Sequence, residues 1–288
     1  MTKSTATLVG FFAVLLWGVL ALLTVGAAPT PPLLLNSICF AIGGVLGLVW
    51  TAMSGNLGQL KTVPTHVYVL GTLGLFGYHA LYFSALRLAP AEQASLIAYL
   101  WPLLIVVLSG LLPGERLRAG HVLGAVVGFG GAALIVTGGA TGFQSENITG
   151  YILALACALT WSSYSVMSRA FGTIPTASVA VFCLASAALS LPLHLTLETT
   201  VWPQGATGWS SAILLGLGPV GLAFYLWDIG VKRGNIQMLG TASYAAPLVS
   251  TFVLILAGVA TPSWSLAFAA LLITGGAVLA ARASLKEA

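Results

Sequence analysis

The chain is 288 residues long, 58% hydrophobic and only 6% charged, with a mean hydropathy of +1.02. Soluble domains carry about 25% charged residues, so ten Lys and Arg with six Asp and Glu cannot clothe a water-facing surface of this size. A soluble globular fold is excluded, and an all-α integral membrane protein is expected. The net charge of +4 and the pI near 9.1 do not signal nucleic acid, because the basic residues stand singly between apolar runs and form no patch.

A helix needs about 20 apolar residues to cross the hydrocarbon core. Ten runs qualify, predicting spans over residues 5–25, 33–54, 66–87, 91–111, 120–138, 150–171, 175–197, 209–231, 235–257 and 264–282. The first follows Lys3 and ends at Val25-Gly26-Ala27, which resembles a cleavable leader; its counterpart in the second half argues that it is retained. Span three carries GYHALYFSALR (77–87), and on a helix Tyr78, His79 and Tyr82 fall within an arc of about 100°. Two Tyr and a His are costly against lipid, so this face should look into the bundle, packing there or lining a substrate path. His79 is the one titratable group in that fully apolar setting.

Span four reads SLIAYLWPLLIVVL (95–108), with Pro102 flanked by Tyr99 and Trp101. Proline inside a helix removes a hydrogen bond and frees the carbonyl four residues earlier, here that of Ala98; in span nine Pro247 would free that of Ser243. In lipid such carbonyls need a partner or a wet cavity. The prolines therefore read as kinks at the midplane, and as hinges offering acceptors to a substrate ammonium. In span six Trp161, Tyr164, Ser165 and Ser168 share a face by i, i+3, i+4, i+7 spacing, suggesting a cavity wall or close packing. Asp228 in span eight has Lys232 at i+4, a salt bridge or a gate. Trp202, Trp209 and Trp264 read as interfacial anchors, and Gly71, Gly74, Gly77, Gly124 and Gly128 as helix-packing contacts.

The halves repeat. Tyr99-Leu100-Trp101-Pro102-Leu103 maps onto Tyr244-Ala245-Ala246-Pro247-Leu248 at an offset of 145 residues, which also carries Gly130-Gly131-Ala132 onto Gly275-Gly276-Ala277 and Arg87 onto Lys232. An offset of 144 carries Trp17 onto Trp161 and Cys39 onto Cys183. Two repeats, 5–138 and 150–283, follow, each with five spans. An odd number inverts one half against the other, an architecture typical of secondary transporters. With the N-terminus inside, the cytoplasmic face receives Lys3, Lys61, Arg116, Arg118, Arg169, Lys232, Arg233, Arg282 and Lys286, and the other face only Arg87. The positive-inside rule then puts both termini in the cytoplasm.

Trp17 and Trp161, Pro102 and Pro247, and the turn Gly114-Glu115-Arg116 within LLPGERL (111–117) give the chain a resemblance to the drug/metabolite transporter superfamily, of the ten-helix type with two EamA repeats. The second half departs from it, with Ala260 where the offset would place a glutamate. The resemblance implies an inner-membrane carrier exporting amino acids, aromatic ones especially, and related metabolites. On that reading the substrate-binding candidates are Trp17, Tyr78, His79, Tyr82, Tyr99, Trp101, Trp161, Tyr164, Ser165, Ser243 and Tyr244, with Pro102 and Pro247 as hinges. Spans three, four, eight and nine should supply most of the cavity wall.

No membrane-buried carboxylate relay, nucleophile elbow, phosphate loop or metal-spaced cluster of Cys, His and acidic residues occurs in the sequence. Cys39, Cys157 and Cys183 sit in apolar runs as small hydrophobes. No cofactor, no metal and no enzymatic activity are expected. A facilitative carrier, or one titrating His79, fits better than sodium coupling. A nucleotide-sugar antiporter is the rival within transport, although Arg87, Lys232 and Arg233 lie at span ends. The expected partners are an amino acid substrate and the bilayer, without nucleic acid, and the expected assembly is a monomer.

Overall fold

The computed structural model describes residues 1–137 and 144–285. Gly138, where the first predicted repeat ends, and Lys286, counted above among the basic residues of one face, lie outside the described residues. Among those described there are ten helices long and apolar enough to cross a membrane: α1 Lys3–Gly26, α2 Pro32–Met53, α3 Thr65–Leu88, α4 Ala91–Ser109, α5 Ala119–Thr137, α6 Ser145–Ala170, α7 Ser178–Leu197, α8 Gly205–Arg233, α9 Ile236–Leu256 and α10 Trp264–Leu285. Each coincides with a predicted run. An even number of crossings puts both ends of the chain on one face, called here the terminus-bearing face.

Helix ends follow local chemistry. Pro32 opens α2, where a missing N–H is harmless. The Glu198 carboxylate reaches across from the end of α7 to accept from the Leu33 and Leu34 amides at 3.0 and 3.3 Å, and pairs with Arg87 at 3.2 Å. Asn235 caps α9 by accepting from the Met238 amide at 2.9 Å. Gly258, after α9, takes a φ of +71° that a side chain would strain.

Small residues bring the helices together. α5 and α10 touch along glycine: a Cβ on Gly124 would lie 2.5 Å from the Gly276 carbonyl, and one on Gly276 2.4 Å from that of Gly124. Without a hydrophobic drive between helices in lipid, such close backbone approach is what van der Waals association requires. α2 lies on α7, and α1 on the second part of α8, where Gly10 and Gly230 meet backbone to backbone.

Five helices are interrupted. α1 breaks at Val19, between Lys3–Gly18 and Leu20–Gly26. α3 and α8 each contain a π turn, Leu73–Gly77 and Gly218–Leu222, positions related by the same offset of 145. α4 breaks between Ala91–Ala98 and Trp101–Ser109, and α9 between Ile236–Ala242 and Ala245–Leu256. Pro102 and Pro247 do not sit inside continuous helices, contrary to the expectation from sequence. Each stands in the first turn of a new segment, where its absent donor costs nothing. The break also satisfies the Ser243 carbonyl, expected to be free: it accepts from the Ala246 amide at 3.0 Å.

The α5–α10 contact yields a direct test. Gly124→Val should lower the thermal midpoint and the monodisperse yield in detergent, because its side chain would run into the α10 backbone. Gly130→Ala, whose Cβ meets nothing within 4 Å, should leave both unchanged.

Candidate functional site

Four tryptophans from four helices meet at the centre of the bundle: Trp17 (α1), Trp101 (α4), Trp161 (α6) and Trp227 (α8). Every pair has ring centroids within 6.3 Å, from Trp17–Trp227 at 5.2 Å to Trp101–Trp161 at 6.3 Å. Most cross edge to face, the arrangement ring quadrupoles favour. Two of their polar edges are used. Trp227 Nε1 donates to Ser165 Oγ at 3.0 Å, and Trp17 Nε1 donates to the Pro219 carbonyl within the α8 π turn, also at 3.0 Å. Trp101, Trp161 and Trp227 are buried, while Trp17 is half-buried and forms the roof.

Above Trp17, away from the termini, lies a cavity of about 400 Å³. It is within the range of small-molecule sites, about 300–1,000 Å³. Its wall comes from α1 (Trp17, Leu20, Ala21), α3 (Tyr82), α4 (Glu92, Ser95, Tyr99), the end of α5 and α9 (Pro247, Ser250). Tyr82 Oη and Ser95 Oγ bond at 2.8 Å across the α3–α4 corner. The site thus combines aromatic faces, hydroxyls and one carboxylate.

Below the tetrad the bundle is closed by polar ties. Arg169, at the end of α6, donates to the Val231, Lys232 and Gly234 carbonyls at 3.2, 2.7 and 3.0 Å, and forms an ion pair with Glu115. A cation suits those carbonyls, since a helix C-terminus carries partial negative charge. Gln237 Nε2 donates to the other Glu115 oxygen at 3.2 Å. Asp228, 1% exposed, accepts from Ser168 and Thr176 at 2.8 and 2.7 Å and pairs with Lys232 at 2.9 Å. These bonds join α6, α8, α9 and the loops on the terminus-bearing face.

The repeat accounts for a difference between the two sides of the tetrad. The offset relating the halves places Trp227 opposite Tyr82 and Trp101 opposite Ala246. On the closed side two indoles fill the space; on the open side a phenol and a methyl leave it as cavity.

Of the residues proposed from sequence, Trp17, Tyr82, Tyr99 and Pro247 line this cavity. Trp101 and Trp161 lie beneath its Trp17 floor. Tyr78 stands behind the wall, stacked on Tyr82 at 6.1 Å and tilted against Trp161 at 5.7 Å. His79 turns the other way: Nδ1 donates to the Leu75 carbonyl at 2.8 Å and the ring meets Phe40 at 5.0 Å, so Nδ1 carries the proton. Tyr164 lies behind Trp161 and lines a separate cavity of about 320 Å³ among α3, α6, α7 and α8. Ser165 serves the Trp227 indole. Ser243 and Tyr244 are fully buried, the former donating to the Leu239 carbonyl at 2.7 Å, and Pro102 is buried beside Trp101. α8, expected in the cavity wall, lies behind Trp17 instead, because its Trp227 fills the tetrad. Sequence reading did not single out Glu92 or Ser95 as site residues, nor Trp227 or the Glu115–Arg169 pair; the offset that places Trp227 opposite Tyr82 was the available signal for the third.

The profile of the EamA-like transporter family matches the chain twice, over residues 4–137 and 148–282. The chain belongs to the EamA-like transporter family. It is a multi-pass membrane transporter by family and by its ten spans. It is 51% identical to a protein named aromatic amino acid exporter YddG from Ancylobacter novellus, over 97% of this chain and 98% of that protein. A protein of the same name from Escherichia coli K12 is 24% identical over 97% of each. A crystal structure 51% identical in sequence superposes with a TM-score of 0.93, covering 97% of this chain and 98% of that one.

Arg169→Ala in this EamA-like transporter would leave the Glu115 carboxylate, 9% exposed, without its cation. Thermal unfolding in detergent should show a loss of about 2–3 kcal/mol. Adding Glu115→Gln to that variant should recover part of it, since the unpaired charge is then gone.

Proposed function

We propose that this transporter exports amino acids, preferentially aromatic ones, across the cytoplasmic membrane by alternating access. The observation that carries the reading is the one-sided cavity floored by Trp17. Its aromatic rings offer stacking faces and attract a cationic amine. Its hydroxyls serve a carboxylate, and Glu92 is the carboxylate available to an ammonium. The names of the relatives agree in substrate class.

In this scheme the halves, 5–138 and 150–283, are the inverted units, both termini are cytoplasmic and the working form is a monomer. The structure then corresponds to the state open away from the cytoplasm, sealed beneath by the tetrad and the Arg169 ties. Return to the inward-open state would exchange the conformations of the halves, with the breaks before Pro102 and Pro247 as the points of bending. Substrate contacts fall on Trp17, Tyr82 and Tyr99 directly. Trp101, Trp161, Tyr78 and Tyr164 support them from behind.

Proteoliposomes loaded with radiolabelled amino acids test the substrate class. Phe, Tyr and Trp should exit faster than Leu or Lys, and a panel without that preference would refute the reading. Trp17→Ala should reduce transport of Trp at least tenfold with protein still folded, whereas Glu92→Gln should raise KM with a smaller effect on the maximal rate.

Sidedness is checked separately in intact cells, in a background without Cys39, Cys157 and Cys183. A cysteine replacing Ser250 in the cavity wall should react with an impermeant maleimide from outside. One replacing Gly114, in the loop between α4 and α5, should react only after permeabilisation.

A further inference from the structure

Tyr244 and Tyr99 occupy equivalent places in the two halves, each in the break that precedes a proline. Their surroundings differ. Tyr244 is 0% exposed, and its Oη accepts a hydrogen bond from the Leu103 backbone amide at 3.1 Å. Leu103 directly follows Pro102, in the first turn of the second α4 segment, where helix amides lack intrahelical partners. The phenol of one broken helix therefore caps the other broken helix. Tyr99 lines the cavity, and its hydroxyl makes no corresponding bond to Leu248 among the described residues.

The neighbouring helices explain the difference. The Tyr244 ring lies against Gly128 of α5, where a Cβ would stand 2.7 Å from Cδ2, and the Phe129 ring is 6.1 Å away. The position in α10 equivalent to Gly128 is Ile273, 3% exposed and packed against Gly131. A seat for Tyr244 exists, and the mirror seat for Tyr99 is filled by a branched side chain.

We infer that Tyr244 is a one-sided latch, a positioning residue that holds the carrier in the state seen here. Exchange of conformations between the halves would carry Tyr244 toward the place Tyr99 now has, out of the Gly128 seat and off the Leu103 amide. Ile273 denies Tyr99 the compensating bond. The cavity-open state is thus favoured by one buried hydrogen bond that the opposite state does not replace. This rests on the alternating-access reading but not on the identity of the substrate.

The test uses the full chain without substrate, in a background without the native cysteines, with single cysteines replacing Ser250 in the cavity wall or Ile105, its repeat equivalent on the closed side. The ratio of their maleimide labelling rates reports the access equilibrium. Tyr244→Phe, which keeps the ring, should shift the ratio toward the Ile105 position about fivefold, as expected for one neutral hydrogen bond. Gly128→Ala should shift it the same way by crowding the seat, whereas Tyr99→Phe alone should leave it unchanged. Ile273→Ala, by opening the mirror seat, should also shift it, and Tyr99→Phe in that background should cancel the shift. An unchanged ratio in both Tyr244→Phe and Gly128→Ala, in protein that labels from both sides, overturns the latch. Equal shifts of the same sign from Tyr99→Phe and Tyr244→Phe would also overturn it. If the Ile105 position never labels in any variant, the alternating-access reading falls, and the latch with it.

Discussion

In hydrocarbon a backbone amide or carbonyl without a partner costs several kcal/mol, and this chain breaks five of its helices at membrane depth. The structure depends on how those breaks are satisfied. The Pro219 carbonyl in the α8 π turn takes the Trp17 indole N–H, and the Leu75 carbonyl in the α3 π turn takes His79. The Leu103 amide at the α4 break finds the Tyr244 hydroxyl. Three of the residues expected to bind substrate, Trp17, His79 and Tyr244, are thus backbone partners. Their polar atoms complete the hydrogen bonding that the breaks leave open, and their rings fill the bundle.

The halves share the π turns of α3 and α8 and the breaks of α4 and α9, but not the α1 break, which continuous α6 lacks, and not side-chain volume. The tetrad fills one side with Trp101 and Trp227 where the other has Ala246 and Tyr82. Charge is distributed the same way. Arg169, Glu115, Asp228 and Lys232 lie together under the tetrad, whereas around the cavity the ion pair is Arg87 with Glu198 and Arg87 is half-exposed. An inverted repeat makes two access states geometrically available; departures from the repeat decide their relative energies.

The ten spans were legible in the sequence because hydropathy is a local property. Predicted and observed ends agree closely for α2, α4, α5 and α9. The repeat was legible through Tyr-x-x-Pro and the paired tryptophans. The π turns were not, since LGLFG (73–77) and GPVGL (218–222) are apolar and glycine-rich like much of the chain. Proline misled locally. It marks the first turn after a break, and the break itself falls two to four residues earlier. His79 shows the limit of reading a face from spacing: it shares an arc with Tyr78 and Tyr82 on a regular helix, but its ring sits on Phe40 and a carbonyl one turn back, outside the cavity. The Arg169–Glu115 pair, 54 residues apart in sequence, depends on how α6 meets the α4–α5 loop, which no local pattern encodes.

The closed side also shows why so few charges suffice. Arg169 serves three carbonyls at the α8 terminus and one carboxylate, and Asp228 serves a lysine and two hydroxyls. Each ion binds several elements at once, so opening that face would release several partners together. A seal built this way is cooperative: no single tie gives way without exposing others. The cavity side has its own tie, Glu198 with the Leu33 and Leu34 amides, Arg87 and His194, but an aromatic ligand resting on Trp17 would add contacts without first breaking it. In the proposed cycle, exchange has to break the polar network beneath the tetrad, and the rings above it are the contact surface offered to the ligand.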